Sequence, residues 1–151
     1  MNRREYLPRV GPEPVPYYAY GLLTRFQAKH SEVLKVTVAE NTGLVAAALH
    51  SPAGHLTVFL LNLESSDRAV SLSLHGMTPD REWFQYQVDE KTLAAPGFRL
   101  APKALAMRSD TEARTAQLTL PARSLAALST YRLAADAPGV FAEERTKRPG
   151  R

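Results

Sequence analysis

The chain has 151 residues, with 19 lysines and arginines against 15 aspartates and glutamates, a net charge of +4 and no cysteine. This length can bury the core of one domain, but it falls well short of the roughly 250 residues of a (β/α)₈ barrel. Because cysteine is absent, the chain can carry neither a disulfide framework, nor a thiolate zinc site, nor a cysteine nucleophile.

The positive charge belongs to the two ends of the sequence. Residues 1–10 and residues 141–151 each carry a net charge of +2, so residues 11–140 are electrically balanced. A nucleic-acid partner would need clustered basic residues on a folded face, and we expect none. No apolar run approaches the roughly 20 residues of a membrane span, so no membrane partner is expected. The first residues lack the apolar region of a signal peptide, which makes the cytoplasm the default location; the compartment is otherwise unknown.

The N-terminal part of the chain predicts an arm followed by a helix. Residues 1–15 contain spaced prolines and are expected to be extended. Residues 16–29 are expected to form a helix, because Tyr18, Leu22 and Phe26 recur every four residues and Pro16 suits a first helical turn. This helix would pack on the following domain or on a partner.

From residue 31 onward the apolar period changes to two, which predicts an antiparallel β-sandwich over residues 31–135. Strands are expected around residues 34–38, 44–49, 56–63, 70–74, 84–88, 116–120 and 125–133. Residues 51–54 (SPAG) predict a tight turn, and the apolar run 56–63 predicts a central strand buried on both faces. Residues 91–115 are expected to form a long loop with a helical turn around 103–107, and residues 136–151 a disordered basic tail. The predicted class is all-β, with about seven or eight strands and one short helix.

No constellation in the sequence points to catalysis. There is no G-x-S-x-G elbow and no glycine-rich phosphate loop. Asp89 and Glu90 are adjacent on a predicted strand and would point to opposite faces, so they could not act together on one sugar. His50 and His55 flank the 51–54 turn but lack a third metal ligand, and a surface pair is the favoured interpretation. We expect no catalytic residue, no metal and no cofactor.

Trp83 leaves two interpretations open. It is the single tryptophan, and on a strand it lies on the face opposite Phe84 and Tyr86. If its ring is exposed, it offers a stacking platform for a polysaccharide, as in a carbohydrate-binding module. If it is buried, it fills the edge of the sandwich core.

Several short motifs, in order, resemble the end of clan-A glycoside hydrolases. The stretch YYAYGLLTRF at residues 17–26 is similar to their final barrel helix, and LTVFLLN at 56–62 is similar to a strand of the β-sandwich that follows it. YQVDE at 86–90 is similar to a strand of family-39 β-xylosidases, and LPARSL at 120–125 to the end of these sandwiches. The resemblance covers residues 16–133, with PAG at 52–54 in place of the usual acidic-Gly turn.

The resemblance implies an accessory domain without its catalytic barrel. In these enzymes the catalytic glutamates lie on barrel strands, which this chain lacks, so no catalytic residue is carried over. The expected function is non-catalytic packing against a glycoside hydrolase-type barrel or, in a homo-oligomer, against another copy of the chain. The residues expected at this interface lie on the helix: Tyr17, Tyr18, Tyr20, Leu22, Leu23 and Phe26. The alternative functions are a carbohydrate-binding module that uses Trp83 and, with less support, a small stand-alone hydrolase.

Overall fold

A computed structural model describes residues 14–39, 43–76, 81–94, 100–109 and 112–133. In this part of the chain, two antiparallel sheets pack face to face, and a helix covers part of the outer face of the larger sheet. The predicted all-β sandwich with a short N-terminal helix is confirmed. The predicted arm and basic tail lie outside the described residues, except that the helix already begins at residue 14.

The described residues form two helices and nine strands. In chain order these are α1 (Pro14–Arg25), β1 (Glu32–Leu34), β2 (Leu44–His50), β3 (Leu56–Asn62), β4 (Arg68–His75), β5 (Trp83–Val88), α2 (Glu90–Ala94), β6 (Lys103–Leu105), β7 (Arg108–Ser109), β8 (Ala113–Leu120) and β9 (Ser124–Ser129). The larger sheet has the order β1-β2-β3-β9-β5-β6, and the smaller one the order β4-β8-β7. No helix among the described residues has the length and apolar character needed to cross a membrane.

The β2–β3 hairpin forms as its sequence predicts. Gly54 takes a φ of 84° and donates its N–H to the carbonyl of Ser51 over 2.9 Å. A residue with a Cβ is disfavoured at this positive φ, which explains the glycine at the end of the turn. The turn sets the register in which Ala47 pairs with Phe59. As predicted, β3 is buried on both faces, with a single half-buried residue, Leu61.

The core between the two sheets is apolar. Leu56, Val58 and Leu60 of β3 and Leu128 of β9 pack there against residues of β4 and β8 in the smaller sheet, including Leu118. Burial of this surface contributes about 25 cal/mol per Å², so this layer is a main source of stability.

The opposite face of the larger sheet carries a second core beneath α1. Leu22 and Phe26 are 0% and 2% exposed, and the Phe26 and Tyr86 rings lie 4.7 Å apart between centroids. Phe59 and Phe84 complete this layer from the sheet. The larger sheet is therefore covered on both sides along its middle strands.

Three local predictions were wrong. The first predicted strand ends at Leu34, and residues 35–39 form no strand although their apolar residues alternate. Residues 103–105 pair with β5 as a strand instead of forming a helical turn. The segment after β5 contains α2, which was expected to be loop. Each error concerns a segment of five residues or fewer, for which a nonlocal partner or a single cap outweighs the local pattern.

A candidate docking groove on the helix side of the larger sheet

The ends of the LTVFLLN and LPARSL motifs hold neighbouring segments of the fold together. Asn62 is fully buried at the end of β3, where its Nδ2 donates to the carbonyls of Ser66, Leu120 and Pro121 over 3.0, 3.3 and 2.8 Å. Its Oδ1 accepts the N–H of Glu64 over 3.1 Å. One side chain thus ties β3, the loop after it and the β8–β9 turn together. The role of Asn62 is structural.

The LPARSL segment makes the matching turn between β8 and β9. Arg123 adopts a positive φ of 49°, and its N–H donates to the Glu64 carbonyl over 2.9 Å. The Ser124 hydroxyl, also fully buried, donates to the Pro121 carbonyl over 2.7 Å. These polar groups of the turn therefore form hydrogen bonds within the fold, and their role is structural.

Tyr86, in the helix-side core, forms hydrogen bonds with the backbone of residues 131–133, the last residues that the structure describes. Its hydroxyl donates to the Tyr131 carbonyl over 3.1 Å and accepts the Leu133 N–H over 2.6 Å. Burial raises the pKa of Tyr86 above its ordinary value, against the lowering effects of the Leu133 N–H and the Arg132 charge. Tyr86 is therefore a neutral structural group at physiological pH.

Asp89 caps α2. Its Oδ1 accepts the Thr92 N–H over 2.8 Å, and its own N–H donates to the Thr92 hydroxyl over 3.1 Å. Burial pushes the pKa of Asp89 upward, but hydrogen bonds from Thr92, Gln87 and Lys91 outweigh it, so the pKa is lowered. One carboxylate oxygen caps the helix, as expected of an Asp at an N-cap, and the other accepts the Gln87 side-chain N–H over 2.9 Å. The carboxylate is not paired with a second carboxylate for acid–base chemistry.

Trp83 does not form an exposed platform. Its side chain is 5% exposed and packs in the core between the sheets. Position 83 alternates with Phe84, which faces the helix side, so the expected opposition of their faces is confirmed. The platform interpretation is wrong, because an aromatic ring at the inter-sheet face gains more by burial than by remaining in water.

The structure separates the helix residues that were expected to face a partner. Leu22 and Phe26 are buried in the chain's own core, so they cannot contact a partner, and that part of the expectation is wrong. Tyr18 is half-buried against the same core. Tyr20 and Leu23 are 71% and 39% exposed. The side chain of Tyr17 lies outside the described residues.

A groove of about 740 Å³ runs beside α1, on the helix side of the larger sheet. We call it the docking groove. Alternate residues of the first three strands form its floor: Val33, Val45, Ala47 and Leu61. Leu23 of α1 forms one wall. Val33 and Val45 are 74% and 50% exposed, so this apolar surface is open to solvent.

The groove exists because one helix is narrower than six strands. α1 packs over β5 and β9 and leaves the face of β1, β2 and the near part of β3 uncovered. The charged side chains that line the groove, those of Asp89, Glu90 and Arg123, belong to its end near α2. Contiguous exposed apolar faces of this kind are often interaction sites, which makes the groove the candidate site.

The exposed floor of the docking groove was not predicted from the sequence. The signal was present in residues 44–49, whose apolar side chains occupy both faces of β2. Such a strand requires cover on both sides, and the one predicted helix could not cover the whole sheet. The pattern of apolar residues did not indicate over which strands of the sheet that helix would pack.

The described residues contain no cluster of three or more His, Cys, Asp or Glu that could hold a metal ion. His50 pairs in the β-ladder with Leu56 and Glu32, and the His55 ring packs edge-on against Tyr131 at 5.1 Å. The two histidines flanking the turn therefore occupy structural positions. Of the groups weighed for catalysis, Asp89 caps α2, and His50 and His55 lie at the β2–β3 hairpin.

Comparison with solved structures relates this fold to glycoside hydrolases. The chain is similar to a family-30 endoxylanase from Clostridium papyrosolvens, with 19% identity and a TM-score of 0.54. It is also similar to a family-30 subfamily-8 xylanase from Clostridium acetobutylicum, with 12% identity and a TM-score of 0.56. Each match covers 74% of this chain and 26% of the other. No protein-family model matches the chain, and no curated protein does.

At these identities the comparisons establish the fold. The chain spans about a quarter of the length of these glycoside hydrolases and shares its architecture with that part. Both are family-30 proteins, so these structures support the clan-A resemblance and not the family-39 assignment in particular.

Proposed function

We propose that this chain is a non-catalytic accessory domain that packs against a glycoside hydrolase-type barrel domain through the docking groove. The observation that carries the proposal is the open apolar floor of the groove, where Val33 and Val45 remain largely exposed beside the part of the same sheet face that α1 covers. The shared fold supports a barrel as the occupant, since this chain corresponds to only a quarter of proteins that are glycoside hydrolases.

The interface differs from the one that the sequence suggested. Leu22 and Phe26 hold α1 on its own domain, so the helix contributes its other side, through Leu23 and the exposed Tyr20. The sheet contributes Val33 and Val45. An apolar segment of a barrel domain that fills this groove would remove both helix wall and sheet floor from water. Burial of apolar area drives such an association, after the cost of lost rotational and translational freedom.

The test is a binding measurement between the full chain and a clan-A-type barrel that lacks its own sandwich. We expect a one-to-one complex by light scattering and calorimetry. Val45→Lys places a charge on the groove floor and should weaken this complex by about 30-fold or more, as expected for a residue at the centre of an apolar interface. Binding that does not respond to Val45→Lys would contradict the proposed surface.

Val36→Lys is the matched control. Val36 is 37% exposed and lies outside the docking groove, so this substitution should change the affinity by less than about twofold. If the chain binds no barrel and instead forms dimers that Val45→Lys dissociates, the occupant is a second copy and the barrel proposal fails.

A further inference from the structure

A second cavity lies between the sheets, at the opposite end of the larger sheet. It has a volume of about 640 Å³, and we call it the inter-sheet cleft. β5 and β6 line one side with Gln85, Gln87 and Lys103, and β8 lines the other with Gln117 and Thr119. The volume falls within the roughly 300–1,000 Å³ of ligand pockets.

The cleft is open because the smaller sheet is narrower than the larger one. β7 has only two residues, which pair with Thr115 and Arg114 of β8. Among the described residues, nothing pairs with β8 along that edge from Gln117 onward. The larger sheet continues past this point through β5 and β6, so its inner face is left uncovered there.

Two glutamines occupy core-facing positions at the cleft. Gln85 and Gln87 share a strand face with Trp83, which packs in the inter-sheet core. Their direct neighbours on β9 are Leu128 and Ala126, both fully buried in that core. An apolar core therefore changes to a polar surface within one strand spacing. Packing alone would favour apolar residues at these positions. The side-chain amides of the glutamines need hydrogen-bond partners, which a polar ligand or water in the cleft would supply.

These amides form a hydrogen-bonded row. Gln85 Nε2 donates to Gln87 Oε1 over 3.1 Å, and Gln87 Nε2 donates to Asp89 Oδ2 over 2.9 Å. Because Asp89 is held by the cap of α2, the row is anchored at one end. Gln85 is only 8% exposed, and within the described residues its carbonyl oxygen accepts no hydrogen bond. The row presents fixed, partly desolvated amide groups at the cleft.

The lining indicates the chemistry of the ligand. Amide groups both donate and accept hydrogen bonds, as sugar hydroxyls do. Lys103 is the single ionisable side chain among the residues that line the cleft, so a multiply charged ligand would find few counter-charges. Leu105, Leu118 and Pro121 supply apolar contacts suited to the C–H faces of a sugar ring.

We propose that the inter-sheet cleft binds a short neutral oligosaccharide through the amide groups of Gln85 and Gln87. This site does not involve the Trp83 ring as a platform, and it is separate from the docking groove, which lies on the other face of the same sheet. The domain could therefore hold a glycan while it is docked. Binding of a sugar in the cleft does not depend on whether a barrel domain occupies the docking groove.

The test is an NMR titration of the ¹⁵N-labelled full chain with xylotriose, cellotriose, mannotriose and arabinotriose. With at least one of these sugars, the side-chain amide signals of Gln85 and Gln87 should shift, while the backbone signal of Val45 in the docking groove stays unchanged. The expected dissociation constant is on the order of 1 mM or tighter. No shift at roughly ten times that concentration would overturn the proposal, as would shifts confined to the docking groove.

Variants distinguish direct contact from a general effect. Gln85→Leu and Gln87→Leu each remove an amide of the row and should each weaken binding about fivefold or more, as expected for a lost hydrogen bond. Gln27→Ala is the matched control, since Gln27 lines the docking groove, and it should leave the affinity unchanged. Binding that none of the cleft variants weakens would overturn the proposal. The proposal would also be overturned if trigalacturonate, or an extended valine-rich peptide, bound more tightly than each of the four neutral sugars.

Discussion

The docking groove and the inter-sheet cleft lie on opposite faces and at opposite ends of one sheet, and they have opposite chemistry. The floor of the groove is valine, alanine and leucine, whereas the cleft is lined largely by glutamine, lysine and threonine. Both are open for the same reason, because the layer that covers the sheet is narrower than the sheet itself. Where the covering layer is missing, the residue types on the sheet indicate whether an apolar partner or a polar ligand would bind there.

Strand β5 shows this difference within six residues. Phe84, Tyr86 and Val88 point to the helix side and are buried beneath α1. Gln85 and Gln87 point to the other side, where they line the inter-sheet cleft. The covered side is apolar throughout, and the uncovered end of the other side is polar. The apolar docking groove departs from this rule, and for this reason we interpret it as an interface rather than as ordinary solvent-exposed surface.

The largest effect should come from the part of α1 that is already covered. Phe26→Ala removes a ring that contacts Tyr86 in the helix-side core and should lower the free energy of unfolding by about 4 kcal/mol. Tyr20→Ala, on the exposed side of the same helix, should change it by less than about 0.5 kcal/mol. Urea denaturation of the isolated chain measures both. A small effect of Phe26→Ala would mean that α1 is not held by its own domain.

A smaller effect is expected where the helix-side core holds the chain end. Tyr86→Phe leaves the buried Leu133 N–H without its acceptor and should cost about 1–3 kcal/mol at neutral pH. Burial raises the pKa of Tyr86, so its neutral form stabilises the fold below the reference pKa of 10.0, and this contribution is lost as the pH rises through the higher pKa of the folded state.

Denaturation as a function of pH tests this assignment. Above pH 10 the stability of the unsubstituted chain should fall more steeply than that of Tyr86→Phe. Tyr20→Phe is the matched control, because its exposed hydroxyl should leave both the stability and its pH dependence unchanged. Parallel pH profiles for the chain and Tyr86→Phe would contradict a neutral, buried Tyr86.

The smallest effect concerns the residue that belongs to both regions. Asp89 lines the end of the docking groove, and it also anchors the amide row of the inter-sheet cleft. Asp89→Asn should cost about 1 kcal/mol at neutral pH, because a neutral amide replaces the charged acceptor of the hydrogen bonds from Thr92 and Gln87. Because the pKa of Asp89 is lowered, the stability that its carboxylate contributes is present above the reference value of 3.8 and is lost as the pH falls through the lower folded pKa.

Comparison with Glu90→Gln isolates the carboxylate of Asp89. Glu90 is the neighbouring acid, is exposed, and should show a smaller effect at every pH. The difference between the chain and Asp89→Asn should shrink toward zero in acid. A cost that persists unchanged below the folded pKa would show that shape, and not charge, accounts for the effect of this substitution.

Most of the fold could be predicted from patterns within single strands. The apolar run of β3 predicted burial on both faces, and the Ser51–Gly54 turn predicted the hairpin, because both depend on short-range backbone and solvation preferences. The role of Asn62 could not be predicted, since two of its four hydrogen-bond partners, the carbonyls of Leu120 and Pro121, lie almost 60 residues away in the sequence. The strand at Lys103–Leu105 was missed because its pairing with β5 is equally nonlocal.

The candidate sites were the least predictable part. Tyr18, Leu22 and Phe26 form one stripe in the sequence, and the stripe itself does not say whether it faces the chain's own sheet or a partner. For Trp83, likewise, alternation identified the strand face but not whether a second sheet covers it. In both cases the answer depends on the relative widths of layers that pack together only in the folded chain.

The sequence by itself determined that these 151 residues are too few to form a (β/α)₈ barrel, that the body between their basic ends is neutral, the sandwich class and the existence of one apolar helix. These properties follow from composition and from periodicity along a single element. Only the tertiary structure decided that Leu22, Phe26 and Trp83 are buried and that Val33, Val45 and the glutamines of β5 are not fully covered. The reason is geometric: exposure depends on which layer lies above a residue, and no segment of the sequence specifies the width of the layer that will cover it.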